Sequence, residues 1–296
     1  MQRVAIIGLG LLGGSLGLAL AGREGFATTG YDADPAVRRR AAELELADSV
    51  ADTLEASVAE ADICVLCVPV GAMAAVAQQL AACLPAACIV SDVGSSKQSV
   101  IAALAEALPD HARVPAHPVA GTEHSGPEAA FAALFAGRWC ILTPEADTPS
   151  HAVRTIAAMW EAVGARIETM DAAHHDTVLA VTSHIPHLIA YTIVGTASDL
   201  EQVTQGEVIK YSAGGFRDFT RIAASDPTMW RDIFLANRGA VLDVLGRFTE
   251  DLTALQRAIR DGDGEMLFDL FSRTGAIRRG IVEQGNTGRS EDLPAS

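Results

Sequence analysis

The chain has 296 residues, which is enough for two domains that each bury a core of their own. Apolar residues make up 49% of the sequence and charged residues 20%, which excludes a disordered protein and predicts a soluble globular one. The formal net charge of -15 at pH 7 argues against nucleic acid and against an anionic membrane surface as partners. The first apolar stretch, residues 4–7, is only as long as a strand, so we expect neither a signal peptide nor a membrane span.

A dinucleotide-binding fingerprint follows this first strand. Residues 8–13 read Gly-Leu-Gly-Leu-Leu-Gly, a helix is predicted over residues 15–21, and a second strand near residues 28–31 ends at Asp32. The first glycine allows a tight turn, the second admits a pyrophosphate, and the third lets the helix pack on the strand. The sequence therefore predicts a Rossmann-type domain with cofactor contacts at Gly8, Gly10, Leu11, Leu12, Gly13 and Asp32. Further predicted cofactor contacts, at the ends of later strands, are Val68, Pro69, Ser95 and Ser96.

Asp32 decides which dinucleotide we expect. A carboxylate at this position accepts hydrogen bonds from the adenosine ribose and repels a 2′-phosphate, which favours NAD. Arg38, Arg39 and Arg40 keep NADP open as an alternative, because an arginine near the pocket can accommodate a phosphate. They come several residues later, on what reads as a solvated helix face, so we predict NAD with NADP less favoured.

Cys64 and Cys67 have the spacing of a redox or metal-binding pair. They lie within the apolar run 63–68, which is typical of a parallel strand buried on both faces. Side chains three residues apart on a strand face opposite ways and cannot share a metal. We therefore predict buried thiols, a cytoplasmic location and no metal site.

Strands and helices alternate as far as about residue 170. Further strands are predicted at 63–68, 88–92, near 114, at 139–143 and at 166–169, with helices at 71–82, from about 98 to 108, and at 150–163. This repetition predicts a doubly wound α/β sheet, in which ligands bind beyond the carboxyl ends of the strands. Ser95, Ser96 and His117 fall at such ends, although Ser96 can equally serve only as a helix cap.

Residues 117–126 read His-Pro-Val-Ala-Gly-Thr-Glu-His-Ser-Gly and follow a short apolar run. Pro118 and the two glycines predict a rigid turn that carries two imidazoles, a hydroxyl and a carboxylate. Histidine is the side chain most easily poised to take a proton near neutral pH, so His117 is a candidate general base. The alternative is a loop with ordinary polar side chains.

From residue 171 to about residue 284 the periodicity is helical, and no further strand is predicted. Ser183 and His187 are four residues apart on one helix face, and Pro186 should kink the helix beside them. This face is expected either to line a pocket or to hold a hydrogen-bonded core histidine.

A later segment, Gly214 to Arg221, places Arg217 and Arg221 four residues apart after two glycines. An arginine suits a carboxylate ligand, whereas Arg217 can also form a surface ion pair with Asp218. Trp230 can belong to the core or to a pocket wall. Residues 240–259 and 265–283 read as amphipathic helices that face either a core or a dimer partner, and we expect a disordered tail over 286–296.

Taken together, these motifs resemble the prephenate/arogenate (cyclohexadienyl) dehydrogenases of tyrosine biosynthesis. The resemblance rests on the glycine fingerprint, residues 92–97, residues 117–126, residues 183–187, residues 214–221 and residues 226–230, in that order, and it reaches to about residue 284. It implies a Rossmann-type NAD-binding domain over residues 1–170, an all-α substrate and dimerisation domain over residues 171–285, and a homodimer.

The resemblance also implies a role for each candidate site residue. His117 would take the proton of the substrate's ring hydroxyl, and Ser96 would hydrogen-bond that hydroxyl and the imidazole. Arg221 would bind a substrate carboxylate. Other predicted substrate contacts are Thr122, Glu123, Ser183, His187, Gly214, Arg217 and Trp230.

The reaction implied is the oxidative decarboxylation of a cyclohexadienol, with hydride transfer to NAD and loss of CO2. Prephenate and arogenate differ only in a keto group or an ammonium group, and Glu123 would favour the ammonium of arogenate. One rival is a β-hydroxyacid dehydrogenase, which typically uses a lysine where this chain has Ser183, His184 and His187. Another is a protein that senses NAD without turnover.

Overall fold

A computed structural model describes residues 1–122, 124–201 and 214–290. The first five strands form a parallel sheet in the order β3-β2-β1-β4-β5, which confirms the predicted Rossmann-type topology. The strands are β1 (Gln2–Ile7), β2 (Phe26–Tyr31), β3 (Ser49–Val50), β4 (Ile63–Leu66) and β5 (Ile89–Asp92). The helices between them are α1 (Leu11–Leu20), α2 (Pro35–Glu43), α3 (Leu54–Val58), α4 (Met73–Leu80) and α5 (Gln98–Ala107).

Apolar side chains cover both faces of this sheet, which explains why its central strands read as unbroken apolar runs. Alternate residues of β1 point to opposite faces, so Val4 and Ile6 join one buried cluster and Ala5 and Ile7 join the other. Burial on both faces leaves the carboxyl ends of the strands as the place where polar groups meet a ligand.

Three further strands form a second sheet, where the sequence predicts one continuous sheet. β6 (Ala116–Pro118) pairs antiparallel with β7 (Trp139–Leu142), which pairs parallel with β8 (Arg166–Thr169), and α6 spans Ser150–Ala162. Pro118 has no N–H to donate, so β6 is short. Val114 donates to the carbonyl of Val90 at 2.9 Å, which aligns β6 beside the end of β5.

The chain is helical from residue 172 onward in the described residues, as predicted. The helices are α7 (Ala172–Leu179), α8 (Ile185–Glu201), α9 (Gly214–Thr220), α10 (Pro227–Ala236), α11 (Arg238–Asp261) and α12 (Gly264–Ser290). A π-helical turn, Ala180–His184, separates α7 from α8. Pro186 cannot donate to the carbonyl four residues earlier. The π-helical turn accommodates this missing hydrogen bond at the place where a kink was predicted.

Packing divides the chain into two compact units, Met1–Val241 and the residues from Leu242 onward. The secondary structure changes at the predicted boundary of 170–171, but α7 to α10 belong to the first unit. They do so because polar side chains of α7 bond directly to the start of α5. α12 continues to Ser290, into the segment assigned to an irregular tail, and residues 291–296 lie outside the described residues.

One helical stretch among the described residues, Ala172–Leu200, is long and apolar enough to cross a membrane by length and composition alone. It carries His175 and Asp176, both buried and hydrogen-bonded within the first unit. A carboxylate that is buried and hydrogen-bonded to protein backbone does not fit a lipid-facing position at the start of this stretch.

Candidate active site

A cavity of about 800 Å³ opens at the carboxyl ends of β1, β4 and β5, within the first unit. Its walls come from the glycine loop, the turns after β4 and β5, the segment after β6, and the helical residues from Leu179 to Ile233. The predicted site residues that line it are Gly10, Leu11, Leu12, Val68, Pro69, Ser95, His117, Thr122, Ser183, His187, Arg221 and Trp230.

The glycine loop has a distinct requirement at each glycine. Gly8 has a φ of +102°, and a Cβ there would come within 2.5 Å of the carbonyl oxygen of Cys67. A Cβ on Gly13 would collide with the carbonyl of Gly8, so this glycine allows α1 to begin against the strand end. No described residue lies within 4 Å of the Cβ position on Gly10, which leaves the loop open toward the cavity. These residues fit a bound dinucleotide pyrophosphate.

Asp32 is held by two backbone donors at the end of β2. Leu9 N–H donates to Oδ2 at 2.9 Å and Asp34 N–H donates to Oδ1 at 2.9 Å. Arg38 reaches the same turn from α2, and its Nη1 donates to the carbonyl oxygen of Asp32 at 2.6 Å. The aspartate therefore presents a fixed carboxylate, with the arginine bound to the backbone beside it.

His117 lies in β6, one residue further into the strand than the loop position predicted for it, and is 8% exposed. Its Nδ1 is 2.8 Å from Nε2 of His175, whose own Nδ1 is 2.9 Å from Oδ1 of Asp176. An ionised carboxylate only accepts, so His175 donates from Nδ1, and in its neutral form it accepts at Nε2. His117 must then donate from Nδ1, which leaves the lone pair on its Nε2.

The protonation of His117 is disfavoured by its surroundings. Burial lowers the pKa of His117 well below its ordinary value of 6.5, and the positive charges that His175, Lys97 and His184 can carry lower it further. His117 is therefore a neutral imidazole at neutral pH. It lines the cavity in the form that a general base requires.

Asp176 holds more than the histidine pair. Lys97 N–H donates to its Oδ1 at 2.7 Å and Gln98 N–H donates to its Oδ2 at 3.0 Å, so the carboxylate caps α5. Burial alone would raise the pKa of Asp176, but the hydrogen bonds from His175, Lys97 and Gln98 outweigh it and lower that pKa. One carboxylate thus positions both the α5 turn and the histidine pair.

A fully buried ion pair lies behind His117. Nζ of Lys97 bonds to Oδ2 of Asp92 and donates to the carbonyl oxygen of Ala116 at 2.7 Å. Asp92 also accepts from the backbone N–H of Gly94 at 2.7 Å and of Ala116 at 3.2 Å. Burial lowers the pKa of Lys97, and the charge of Asp92 opposes that shift. The pair ties the end of β5 to the strand that carries the histidine.

The predicted contact between Ser96 and His117 is not made in this structure. Ser96 is fully buried, and its Oγ is 3.3 Å from the Oγ of Ser99 in the first turn of α5. Ser96 therefore faces the first turn of α5 without capping it, because Asp176 caps that helix, while His117 bonds to His175. Its neighbour Ser95 lines the cavity.

The helical wall presents His187 on the face shared with Ser183. Nδ1 of His187 donates to the carbonyl oxygen of Ser183 at 2.9 Å, which leaves Nε2 as the acceptor. The imidazole stacks on Trp230 with ring centroids 3.6 Å apart, and Trp230 is buried against it. Burial lowers the pKa of His187, and the charge of Arg221 lowers it further. His187 and Trp230 therefore line the cavity and also pack against each other.

Four predicted substrate contacts remain. Arg221 begins a short 3₁₀ turn, Arg221–Ala224, and lines the cavity. Gly214 and Arg217 are exposed on α9 and are not among the described lining residues. Glu123 lies outside the described residues.

Sequence reasoning did not select His175, Asp176, His184, Asn237 or Lys97. All five are buried and polar. A usable signal was the run His174-His175-Asp176 at the start of a helix, where three ionisable residues interrupt an apolar pattern. Most of their hydrogen bonds join residues that are far apart in the chain, which no local pattern reports.

Comparison with known proteins agrees with this geometry. The nucleotide-binding domain of prephenate dehydrogenase matches residues 16–169, and the dimerization domain of prephenate dehydrogenase matches residues 171–273. This chain belongs to the prephenate dehydrogenase family. It is 47% identical to cyclohexadienyl dehydrogenase of Zymomonas mobilis over 94% of this chain and 95% of that relative.

Solved structures of the family share the fold over nearly the whole chain. Prephenate dehydrogenase from Aquifex aeolicus, in complex with hydroxyphenyl propionate and NAD+, is similar with a TM-score of 0.88 and 35% identity, over 95% of this chain and 98% of that one. Arogenate dehydrogenase from Synechocystis is similar with a TM-score of 0.79 and 25% identity, over 95% of this chain and 100% of that one. The family enzymes are thus NAD-linked oxidoreductases of the cyclohexadienol class, and this chain is one of them.

Proposed function

We propose that the protein oxidises and decarboxylates prephenate to 4-hydroxyphenylpyruvate and arogenate to tyrosine, with NAD as the hydride acceptor. The observation that carries the proposal is the neutral imidazole of His117 at the cavity wall. Its Nδ1 is bound through His175 to Asp176, which leaves the Nε2 lone pair for a substrate proton. The glycine loop lines the same cavity.

The residues of the nucleotide end fit a dinucleotide. Gly10, Leu11 and Leu12 with Val68, Pro69 and Ser95 would hold it, and NAD when bound supplies the hydride acceptor. Asp32 favours NAD over NADP, because its fixed carboxylate repels a 2′-phosphate and suits ribose hydroxyls. Arg38 supports the same preference, since its guanidinium is already bound to the carbonyl oxygens of Asp32 and Ala33.

The helical wall would hold the substrate. Arg221 supplies a guanidinium for a substrate carboxylate, and such a pair fixes orientation as well as charge. Nε2 of His187 and the hydroxyl of Ser183 are polar groups that can meet the remaining oxygens of the substrate. Trp230 supports His187 from behind. These contacts align the ring with the nucleotide end of the cavity.

His117 carries the proton transfer. Its Nε2 takes the ring-hydroxyl proton as the hydrogen on the same carbon leaves with its electron pair, and the carbon becomes a carbonyl. That carbonyl is conjugated through the ring, so the electrons of the breaking C–CO2 bond form an aromatic phenolate, which then recovers a proton. A general base of this kind contributes roughly 10²–10⁴-fold. The rest comes from alignment and from the grip of Arg221.

We propose that both cyclohexadienols are substrates. Their reacting rings are the same, and the difference lies in the side chain. Among the described lining residues, Asp226 is the acidic one; its Oδ1 accepts from Met229 N–H at 2.7 Å and its second oxygen can accept from an ammonium. This arrangement supports acceptance of arogenate without excluding the keto side chain of prephenate.

We propose a cytoplasmic homodimer formed through the helical residues, with neither nucleic acid nor membrane as partner. The support is the family's dimerization domain together with large exposed apolar side chains on the last two helices. They are Leu242, Leu252, Ile259, Phe268, Phe271 and Ile277. The net charge of -15 disfavours polyanionic partners.

The decisive measurement is NADH absorbance with prephenate, arogenate and a 3-hydroxy acid, each with NAD and with NADP. We expect turnover of both cyclohexadienols with NAD, weaker turnover with NADP, and none with the 3-hydroxy acid. His117→Asn should lower kcat by at least about 10²-fold, because the general base is lost. NAD binding should be retained, because the substitution leaves the glycine loop intact. Turnover of only the 3-hydroxy acid would favour the β-hydroxyacid dehydrogenase alternative, and no turnover with NAD bound would favour a sensor.

A further inference from the structure

Asn237 lies behind the cavity wall, at the junction of α10 and α11, and is 3% exposed. It is uncharged and is not among the described residues that line the cavity. Its Nδ2 donates to the carbonyl oxygen of Asp176 at 2.8 Å and is 3.1 Å from Nδ1 of His184. Both hydrogens of one amide are therefore directed at two different parts of the site.

The following inference rests on the proposed function. We infer that Asn237 is a positioning residue for the reaction, because its side-chain amide joins the base side of the cavity to the substrate side. The base side is the series His117, His175 and Asp176. The substrate side is the series His184, Trp230 and His187.

On the base side, Asn237 fixes the backbone of the residue that aligns the imidazoles. Asp176 bonds to His175 and to the first two N–H groups at the start of α5. A shift of its backbone would move the carboxylate, then His175, and then Nε2 of His117. Small displacements of a base from its substrate proton are costly, since misplacement by about 1 Å can cost about 100-fold in rate.

On the substrate side, Asn237 fixes which nitrogen of His184 carries the proton. An amide nitrogen only donates, so Nδ1 of His184 accepts and its hydrogen is on Nε2. The ring packs edge-on against Trp230 with centroids 6.0 Å apart, and Trp230 stacks on His187. Burial lowers the pKa of His184 to about 4 against the opposing charge of Asp176, so the ring is neutral at neutral pH.

The first test is Asn237→Leu, which keeps the side-chain volume but leaves the Asp176 carbonyl and His184 Nδ1 without a donor. Val241→Ala is the matched control, because Val241 lies one turn further along, is 5% exposed and is apolar. We expect Asn237→Leu to lower kcat by roughly 10- to 100-fold and to raise the substrate KM, with NAD affinity retained. Val241→Ala should lower Tm by creating a cavity and leave kcat unchanged.

The second test asks whether Asn237 acts through the histidine pair. His175→Phe should lower kcat, and adding Asn237→Leu to it should cost much less than Asn237→Leu costs alone, because the series is already broken. If the two losses multiply in full, Asn237 has only a structural role and the inference is wrong. An unchanged kcat in His175→Phe would instead show that the series His117, His175 and Asp176 does not support the reaction. That result would also contradict the proposed role of His117 as the base.

A failure to fold would not end the test. If Asn237→Leu does not fold, Asn237→Ser takes its place, since a hydroxyl keeps one donor, and a smaller loss of kcat with the same non-additivity is expected. If either variant matches Val241→Ala in losing Tm but not kcat, the inference is overturned.

Discussion

The single residue on which most of the chemistry depends is His117, whose acid–base properties follow from two different neighbours. His175 fixes its tautomer through a hydrogen bond, and burial next to the Lys97–Asp92 pair disfavours its protonated form. A base that must be neutral to work is thereby available over a wide range of pH.

The pH dependence of kcat/KM should report this directly. Because the pKa of His117 is lowered below 6.5, the fraction of neutral base stays high as the pH falls through 6.5, and activity should decline only at lower pH. The measurement is kcat/KM for prephenate from pH 8 down to the limit of stability, with His117→Asn as the control that should lack this limb. An acid limb centred above pH 6.5 would contradict the assignment.

Residue identity was more predictable than residue geometry. His117, Arg221, His187 and Trp230 were selected from the sequence, and all four line the cavity. Ser96 was selected as well, but its hydroxyl faces Ser99, because the start of α5 turns it away from the cavity. Side-chain direction within a turn depends on its caps, and the cap here comes from a residue 79 positions away along the chain.

At the scale of elements, the glycine loop and α1 were predictable because their constraints are local. A strand, three glycines and a helix are adjacent in sequence, and the first and third glycines avoid contacts with the end of β4 and with Gly8. The second sheet was not predictable in the same way. Its strands pair across long gaps, and a three-residue strand next to a proline carries little periodic signal.

Two glycines of the loop allow a matched comparison. Gly13→Ala should destabilise the protein by about 1–3 kcal/mol, because its Cβ would collide with the backbone carbonyl of Gly8. Gly10→Ala should leave Tm unchanged, because none of the residues that the structure describes lies within 4 Å of its Cβ, and should weaken NAD binding by filling the pyrophosphate approach. Thermal unfolding and NAD titration of both variants check this. Equal losses of Tm in the two variants would contradict the different roles.

At the scale of the whole molecule, the fold class followed from the order of the elements, whereas the extent of each compact unit did not. The sequence changes from strands to helices near residue 170, yet α7 to α10 pack as part of the first unit. A single carboxylate and a single amide account for part of this, since Asp176 bonds to the α5 turn and Asn237 bonds to the backbone of Asp176. Neither contact has a periodic signature.

The oligomeric state is the prediction that belongs to this scale. Phe268 and Phe271 are 71% and 58% exposed, which is unusual for phenylalanine in a protein that works as a monomer. Light scattering should give twice the mass of the 30.9 kDa chain. Phe268→Glu with Phe271→Glu should shift the mass toward the monomer, whereas Asp269→Ala is a control on the same helix. A wild-type mass of one chain at micromolar concentration would contradict the dimer.

The crowding of imidazoles around one cavity has a consequence for how the protein tolerates acid. The pKa values of His117, His184 and His187 are all lowered in the folded protein. Below about pH 6.5 the unfolded chain therefore binds more protons than the folded chain does, so lowering the pH lowers the free energy of unfolding. The neutral form of His117 and the stability of the folded protein are therefore lost over the same acidic pH range. The burial that keeps the imidazole neutral for catalysis also sets the lowest pH at which the protein stays folded.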